Sequence, residues 1–145
     1  MNDCLACQLN DNSSSVPGGT IKDYEYWILQ HIINPIPVKG WLILKTKRHV
    51  DGITGMNNSE SKELGVILNS ITKTLKEVSK AAQIYICCFT EEVSHLHIHI
   101  IPRYSDEMRK GPSLFQLLKE VKQNPSKAVN QEEVIEFTKK ISSMI

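Results

Sequence analysis

Three of the five histidines lie within five residues, His95-Leu96-His97-Ile98-His99, and Ile100-Ile101-Pro102-Arg103 follows. Imidazoles alternating with aliphatic residues match the two-residue repeat of a β-strand, which puts the three rings on one face and Leu96, Ile98 and Ile100 on the other. Same-side neighbours on a strand stand about 6.6 Å apart, so adjacent rings can address one phosphate-sized group. Attack on phosphorus is the chemistry such a row offers. An imidazole that forms a transient phosphoramidate splits one slow displacement into two easier ones. The attacking nitrogen must carry no proton, so the other nitrogen of that ring has to donate a hydrogen bond, for which a backbone carbonyl would serve. His97, flanked by the other two rings, is the expected nucleophile.

A second set of reactive residues is Cys4 and Cys7, whose Cys-x-x-Cys spacing lets two thiolates grip one tetrahedral ion. The redox use of this spacing belongs at a helix start in a βαβ pattern, which the sequence lacks, and a disulfide is disfavoured in a reducing cytosol. Two further ligands are needed, and His49 with one histidine of the row could complete a Cys₂His₂ set. Such a site would be structural, because four protein ligands leave no position for a reacting water. A different metal reading has His95, His97 and His99 gather around one ion, which alternate residues of one strand achieve only with distortion.

His95 to Arg103 resembles the signature of the histidine-triad (HIT) family of nucleotide hydrolases and transferases. Gly40 to Val50, GWLILKTKRHV, resembles the strand and turn found upstream in that family, and Cys4-Leu5-Ala6-Cys7 resembles the metal half-site of many bacterial members. The resemblance covers residues 1–104; beyond it, Gly111-Pro112-Ser113-Leu114-Phe115 is similar to a narrower set of relatives. It implies an α+β fold, an antiparallel sheet of about five strands with packed helices, and a homodimer. The implied substrate is a nucleoside 5′-phosphate derivative, a dinucleoside polyphosphate or nucleoside phosphoramidate with adenosine the usual base. It is cleaved at the α-phosphate through a nucleotidyl-histidine intermediate. By the same resemblance the middle histidine, His97, is the nucleophile, His99 stabilises phosphate charge, and zinc is held by Cys4, Cys7, His49 and His95. As a zinc ligand His95 would act by position; without zinc it would join His99 at the phosphate. Asn34, in a loop that borders the nucleoside pocket, is a candidate for a ribose hydroxyl, and the amides at Ser113 for a phosphate.

Two departures from the family pattern stand out. Gly40-Trp41 replaces the usual Gly-His, so an indole, which cannot accept a proton, leaves that histidine's role lost or replaced by packing. Glu91 and Glu92 replace neutral polar residues before the triad, and two anions beside a phosphate are unfavourable unless they point away or meet a cationic part of the substrate. Both departures keep a second function open, a nucleotide-binding interaction protein with little turnover.

The elements that must position these residues follow from periodicity. Tyr24 to Ile33 and Trp41 to Leu44 read as strands, joined through Asn34-Pro35-Ile36-Pro37-Val38-Lys39-Gly40, and His31 is read as structural. Lys45, Lys47 and Arg48 read as a solvated turn. Asn57 to Gln83 is the main helix, with a stripe of Leu64, Ile67, Leu68, Ile71, Leu75 and Val78 and a capping box from Asn57 and Glu60. Ile84 to Thr90 reads as a strand. Helices are expected from Gly111 and over Gln131 to Ile141, and Asn10 to Gly19 as a loop without chemistry.

Length and composition fit one domain over 1–145, with 105–145 a helical extension. Hydrophobic residues make up 41% and charged ones 23%, as in a typical globular chain. Seventeen basic against sixteen acidic residues give no footprint for extended nucleic acid or an anionic membrane. No apolar run approaches the roughly 20 residues of a membrane span, and a cytoplasmic location is expected.

Overall fold

The computed structural model describes residues 3–145. Five strands form one sheet: β1 (Thr20–Asp23), β2 (Trp27–His31), β3 (Leu42–Thr46), β4 (Gln83–Cys87) and β5 (His97–Arg103). Their order is β1-β2-β3-β5-β4 and every neighbouring pair is antiparallel. Four α-helices accompany it: α1 (Leu5–Asp11), α2 (Asn58–Ser79), α3 (Gln116–Gln123) and α4 (Gln131–Met144). The expected α+β class and five-stranded sheet are what the chain adopts.

Alternation divides the sheet into two faces. Trp27, Leu29, Leu42, Leu44, Ile98 and Ile100 face a core completed by Ile67, Ile71 and Leu75 of α2 and Phe137 and Ile141 of α4. Helix α4 thus closes the main core, so the segment after Arg103 is built into the fold. The registers Lys45↔His97, Ile43↔His99 and Gln30↔Ile43 put Gln30, Ile43, Lys45, His97 and His99 together on the opposite face. Helix α1 lies over part of that face, and Trp41, Ile101 and Leu114 pack with Phe115 over another part.

Helix α2 begins where the sequence places it, with Asn57 Oδ1 accepting from the Glu60 amide at 2.9 Å and the Glu60 carboxylate accepting from the Asn57 amide at 2.8 Å. Arg48 adds two hydrogen bonds of 3.0 Å to that carboxylate, one from Nε and one from Nη2. The helix ends at Ser79, followed by Lys80 in the left-handed conformation, so residues 80–83 are not helical. The strand expected over 24–33 forms over its middle as β2, the second strand of a hairpin with β1. Tyr24 donates to the Trp27 carbonyl to turn the chain, and the Glu63 carboxylate accepts from the Glu25 and Tyr26 amides, which makes β1 from a stretch with no strand signal of its own. The expected loop over 10–19 carries the end of α1 and a 3₁₀ turn at Ser13–Ser15. The expected helix at Gly111 starts as a 3₁₀ turn, Gly111–Phe115, and becomes α3.

Candidate metal centre and histidine cleft

The metal set comes from three parts of the chain. Cys4 and Cys7 sit at the start of α1, His49 follows β3, and His95 enters β5 through an isolated bridge to Asp51. One donor atom from each of the four lies within 4.8 Å of every other. Cys4 Sγ stands 3.5 Å from His95 Nδ1, and Cys7 Sγ stands 3.3 Å from His95 Nδ1 and 3.5 Å from His49 Nδ1. A tetrahedral zinc about 2.3 Å from sulfur and about 2.0 Å from nitrogen places S and N about 3.5 Å apart, so these edges fit Zn²⁺. The far ring nitrogens fit as well. His95 Nε2–H donates to the Thr46 carbonyl at 2.8 Å, and His49 Nε2–H donates to Asp51 Oδ1 at 3.1 Å, so in both rings Nδ1 is left to bind metal. The Ser94 hydroxyl, with His49, holds the Asp51 carboxyl below its usual range. Burial raises the Cys7 thiol and lowers His95; the metal-binding forms are therefore the thiolate won by the ion and an imidazole that is already neutral.

With both nitrogens engaged, His95 has none for a phosphate. The strand parity expected of the triad holds, but the three rings serve two places, and a metal site made of His95, His97 and His99 together is not formed. His97 and His99 stay with one another, ring centroids 5.2 Å apart. His97 Nδ1–H donates to the His95 carbonyl at 2.8 Å, which leaves Nε2 with a free lone pair. His99 has the opposite arrangement: Trp41 Nε1–H donates to His99 Nδ1 at 2.9 Å, so the neutral ring carries its proton on Nε2. Burial, helped by the neighbouring His97, pushes His99 down to about 4, which keeps it neutral near pH 7. Trp41 does more than pack, in contrast to the sequence expectation; it sets the tautomer of His99. Gly40 allows this placement, with φ +90° and Phe137 Cε1 3.0 Å from where a Cβ would lie.

These two histidines open on a cleft of about 130 Å³ between α1 and the sheet. Leu5, Leu9, Ile32, Ile33, Ile43 and Val93 line it with apolar surface. The carboxylates Glu91 and Glu92 are both exposed and neither lines the cleft; Glu92 lines an adjoining pocket with Cys4, Leu5, His49 and Val93. His31 borders the cleft with both nitrogens spent: Nδ1–H donates to the Ile32 carbonyl and Nε2 accepts from the Gly40 amide, each at 2.9 Å. Asn34 lies beside it, lining an adjoining groove and donating to Gln131 Oε1 at 2.9 Å. Ser113 stands apart in the 3₁₀ turn, its hydroxyl donating to the Lys110 carbonyl at 2.7 Å.

Sequence reading missed Lys45. It is not part of a solvated turn but belongs to β3, 2% exposed, and it lines the cleft. The signal was alternation: in Ile43-Leu44-Lys45 the lysine shares the parity of Ile43, but the basic run Lys45, Lys47, Arg48 masked it.

Comparison with known proteins agrees with this fold. The family described as HIT domain matches residues 16–106. Among solved structures, a Hit-like protein from Bartonella henselae, described as involved in cell-cycle regulation and crystallised with an unknown ligand, superposes with a TM-score of 0.74 at 19% identity, covering 100% of this chain and 98% of that one. A hypothetical histidine triad nucleotide-binding protein from Sulfolobus tokodaii gives 0.73 at 16% identity over 97% and 91% of the two chains. A Zn-bound histidine triad family protein from Mycobacterium smegmatis gives 0.68 at 15% identity over 98% and 94%. No curated protein is significantly similar to this sequence.

Proposed function

The chain belongs to the HIT domain family, and from that premise we propose that it is a nucleotide hydrolase or nucleotidyl transferase acting at the α-phosphate of a nucleoside 5′-phosphate derivative, a dinucleoside polyphosphate or a nucleoside phosphoramidate. The observation that carries this reading is the 2.8 Å hydrogen bond from His97 Nδ1–H to the His95 carbonyl, which fixes one proton on Nδ1 and turns Nε2 to the edge of an apolar cleft as the attacking nitrogen. His97 Nε2 attacks the α-phosphorus; the P–O or P–N bond to the leaving group breaks, and the leaving group departs with that electron pair and takes a proton from solvent. Water, or a second acceptor, then displaces His97 from phosphorus and releases the nucleoside monophosphate or its ester. His99 presents Nε2–H as a neutral donor to a phosphate oxygen, its other nitrogen occupied by Trp41. The apolar cleft takes the nucleoside, with Asn34 at its border.

Zinc, held by Cys4, Cys7, His49 and His95, supplies structure alone. Its ligands fasten α1 over the cleft and fix the strand entry from which the His95 carbonyl orients His97. The Mycobacterium smegmatis relative is Zn-bound, which supports the same ion here. Membership of the family and the free edge of β4 support a homodimer. Among the described residues no helix is long and apolar enough to cross a membrane.

The test is release of nucleoside monophosphate from a panel that includes a dinucleoside polyphosphate and an adenosine phosphoramidate, for the parent and for His97→Ala. Turnover should fall by about three orders of magnitude or more in the variant, with nucleotide binding retained. Equal turnover in both removes His97 as nucleophile; binding without turnover in the parent makes the chain a nucleotide-binding interaction protein instead.

A further inference from the structure

Lys45 is a buried cation without a carboxylate beside it. Its ammonium donates to Gln30 Oε1 at 2.6 Å, and among the described residues no ion pair includes it. An ammonium has three donor hydrogens, and the Gln30 bond uses one. Gln30 is itself pinned: its Nε2 donates to the Leu9 carbonyl of α1 at 3.0 Å and to Thr20 Oγ1 at 3.3 Å. Burial lowers Lys45 to about 8.

We propose that Lys45 reads a carbonyl oxygen on the base of the bound nucleotide, so that the site prefers a 6-oxopurine such as hypoxanthine or guanine to adenine. The assignment rests on the nucleotide-site reading above and adds the base to it. Lys45 pairs directly with His97 across β3 and β5, so it is the direction of its side chain, not its place in the sheet, that sets its ammonium apart from the phosphate. The reacting imidazole is on β5, whereas the Lys45 side chain leans the other way, from β3 to Gln30 on β2. Gln30 is thus two strand spacings, roughly 10 Å, from the strand of His97. That is the end of the cleft roofed by α1, where the other walls, Leu5, Leu9, Ile32 and Ile33, suit a flat ring rather than a phosphate. An ammonium can only donate. At the edge concerned guanine and hypoxanthine offer O6 and N7 as acceptors, whereas adenine sets an amino group where O6 would be. Adenine would leave two donors facing one another in an apolar cleft, and the adenosine preference usual in the family would not hold in this chain.

The experiment is calorimetric titration of the zinc-loaded chain with inosine 5′-monophosphate, adenosine 5′-monophosphate and inorganic pyrophosphate, repeated on Lys45→Met. Inosine monophosphate should bind the parent about ten- to a hundredfold more tightly than adenosine monophosphate. Lys45→Met should abolish that preference by weakening the inosine compound alone. Adenosine monophosphate binding the parent as well as, or better than, its inosine counterpart would overturn the proposal without use of a variant. So would a variant that weakens all three ligands equally, since Lys45 would then contact phosphate. If the parent binds neither nucleotide, the nucleotide site itself fails, an outcome distinct from binding without base preference.

Discussion

His99 and His31 show how single contacts fix the protonation state of a buried histidine, through the Trp41 indole for one and through the Ile32 carbonyl and Gly40 amide for the other. Trp41→Phe keeps the ring packing and removes the donor to His99 Nδ1. One neutral hydrogen bond is worth about 1 kcal/mol, so kcat should drop about fivefold with KM nearly unchanged. Trp41→His restores a ring N–H and should recover much of the loss; an equal fall in both variants would mean that indole packing, not the tautomer, matters. His31 is a matter of stability. Burial pushes it down to about 4 from an ordinary 6.5, so the unfolded chain binds its proton more readily than the folded one. The stability gained by keeping the ring neutral is therefore present above pH 6.5 and is lost as pH falls from 6.5 through about 4, on the order of 3 kcal/mol in all. Urea unfolding midpoints measured from pH 7 to pH 4 should fall steeply in the parent and less steeply in His31→Gln.

Among the elements, α1 depends most on something other than its own sequence. It has seven residues, no side-chain hydrogen bond at its cap and no acidic residue in its first turn. Helices this short are marginal alone, so the cysteine ligands and the contacts of Gln30 and Asn10, which donates to the Thr46 carbonyl at 3.1 Å, must hold it. Removal of zinc by a chelator should speed amide exchange over Leu5–Asp11 by about tenfold or more, leave α2 unchanged, and weaken nucleotide binding even though His97 is intact. Exchange in α1 that ignores the chelator would assign the helix to packing alone. The same dependence explains what the sequence made legible. The row of histidines and the stripe and capping box of α2 are local patterns, and both could be read directly. Helix α1 could not, because its support lies in His49 and His95, and β1 could not, because its turn is fixed by Glu63 of α2. Lys45 was hidden by the charged residues that follow it, and the link from Trp41 to His99 spans 58 positions and leaves no local trace.

For the whole molecule, the sheet has one edge that invites a partner. Among the described residues strand β4 pairs only with β5, and Ile86 is 50% exposed there. An open strand edge with an exposed isoleucine is the kind of surface that a second copy covers. The parent should run as a dimer in sedimentation equilibrium and Ile86→Asp as a monomer; a parent that stays monomeric at high concentration would remove the homodimer. The two helices nearest the chain ends lie on opposite faces of the sheet, α1 over the cleft and α4 against the main core. Fusion strategy follows from this. A polyhistidine purification tag joined ahead of Asp3 would set competing imidazoles next to Cys4 and near the cleft, where it would compete for the zinc, whereas the same tag after Ile145 would extend from the far side of the sheet.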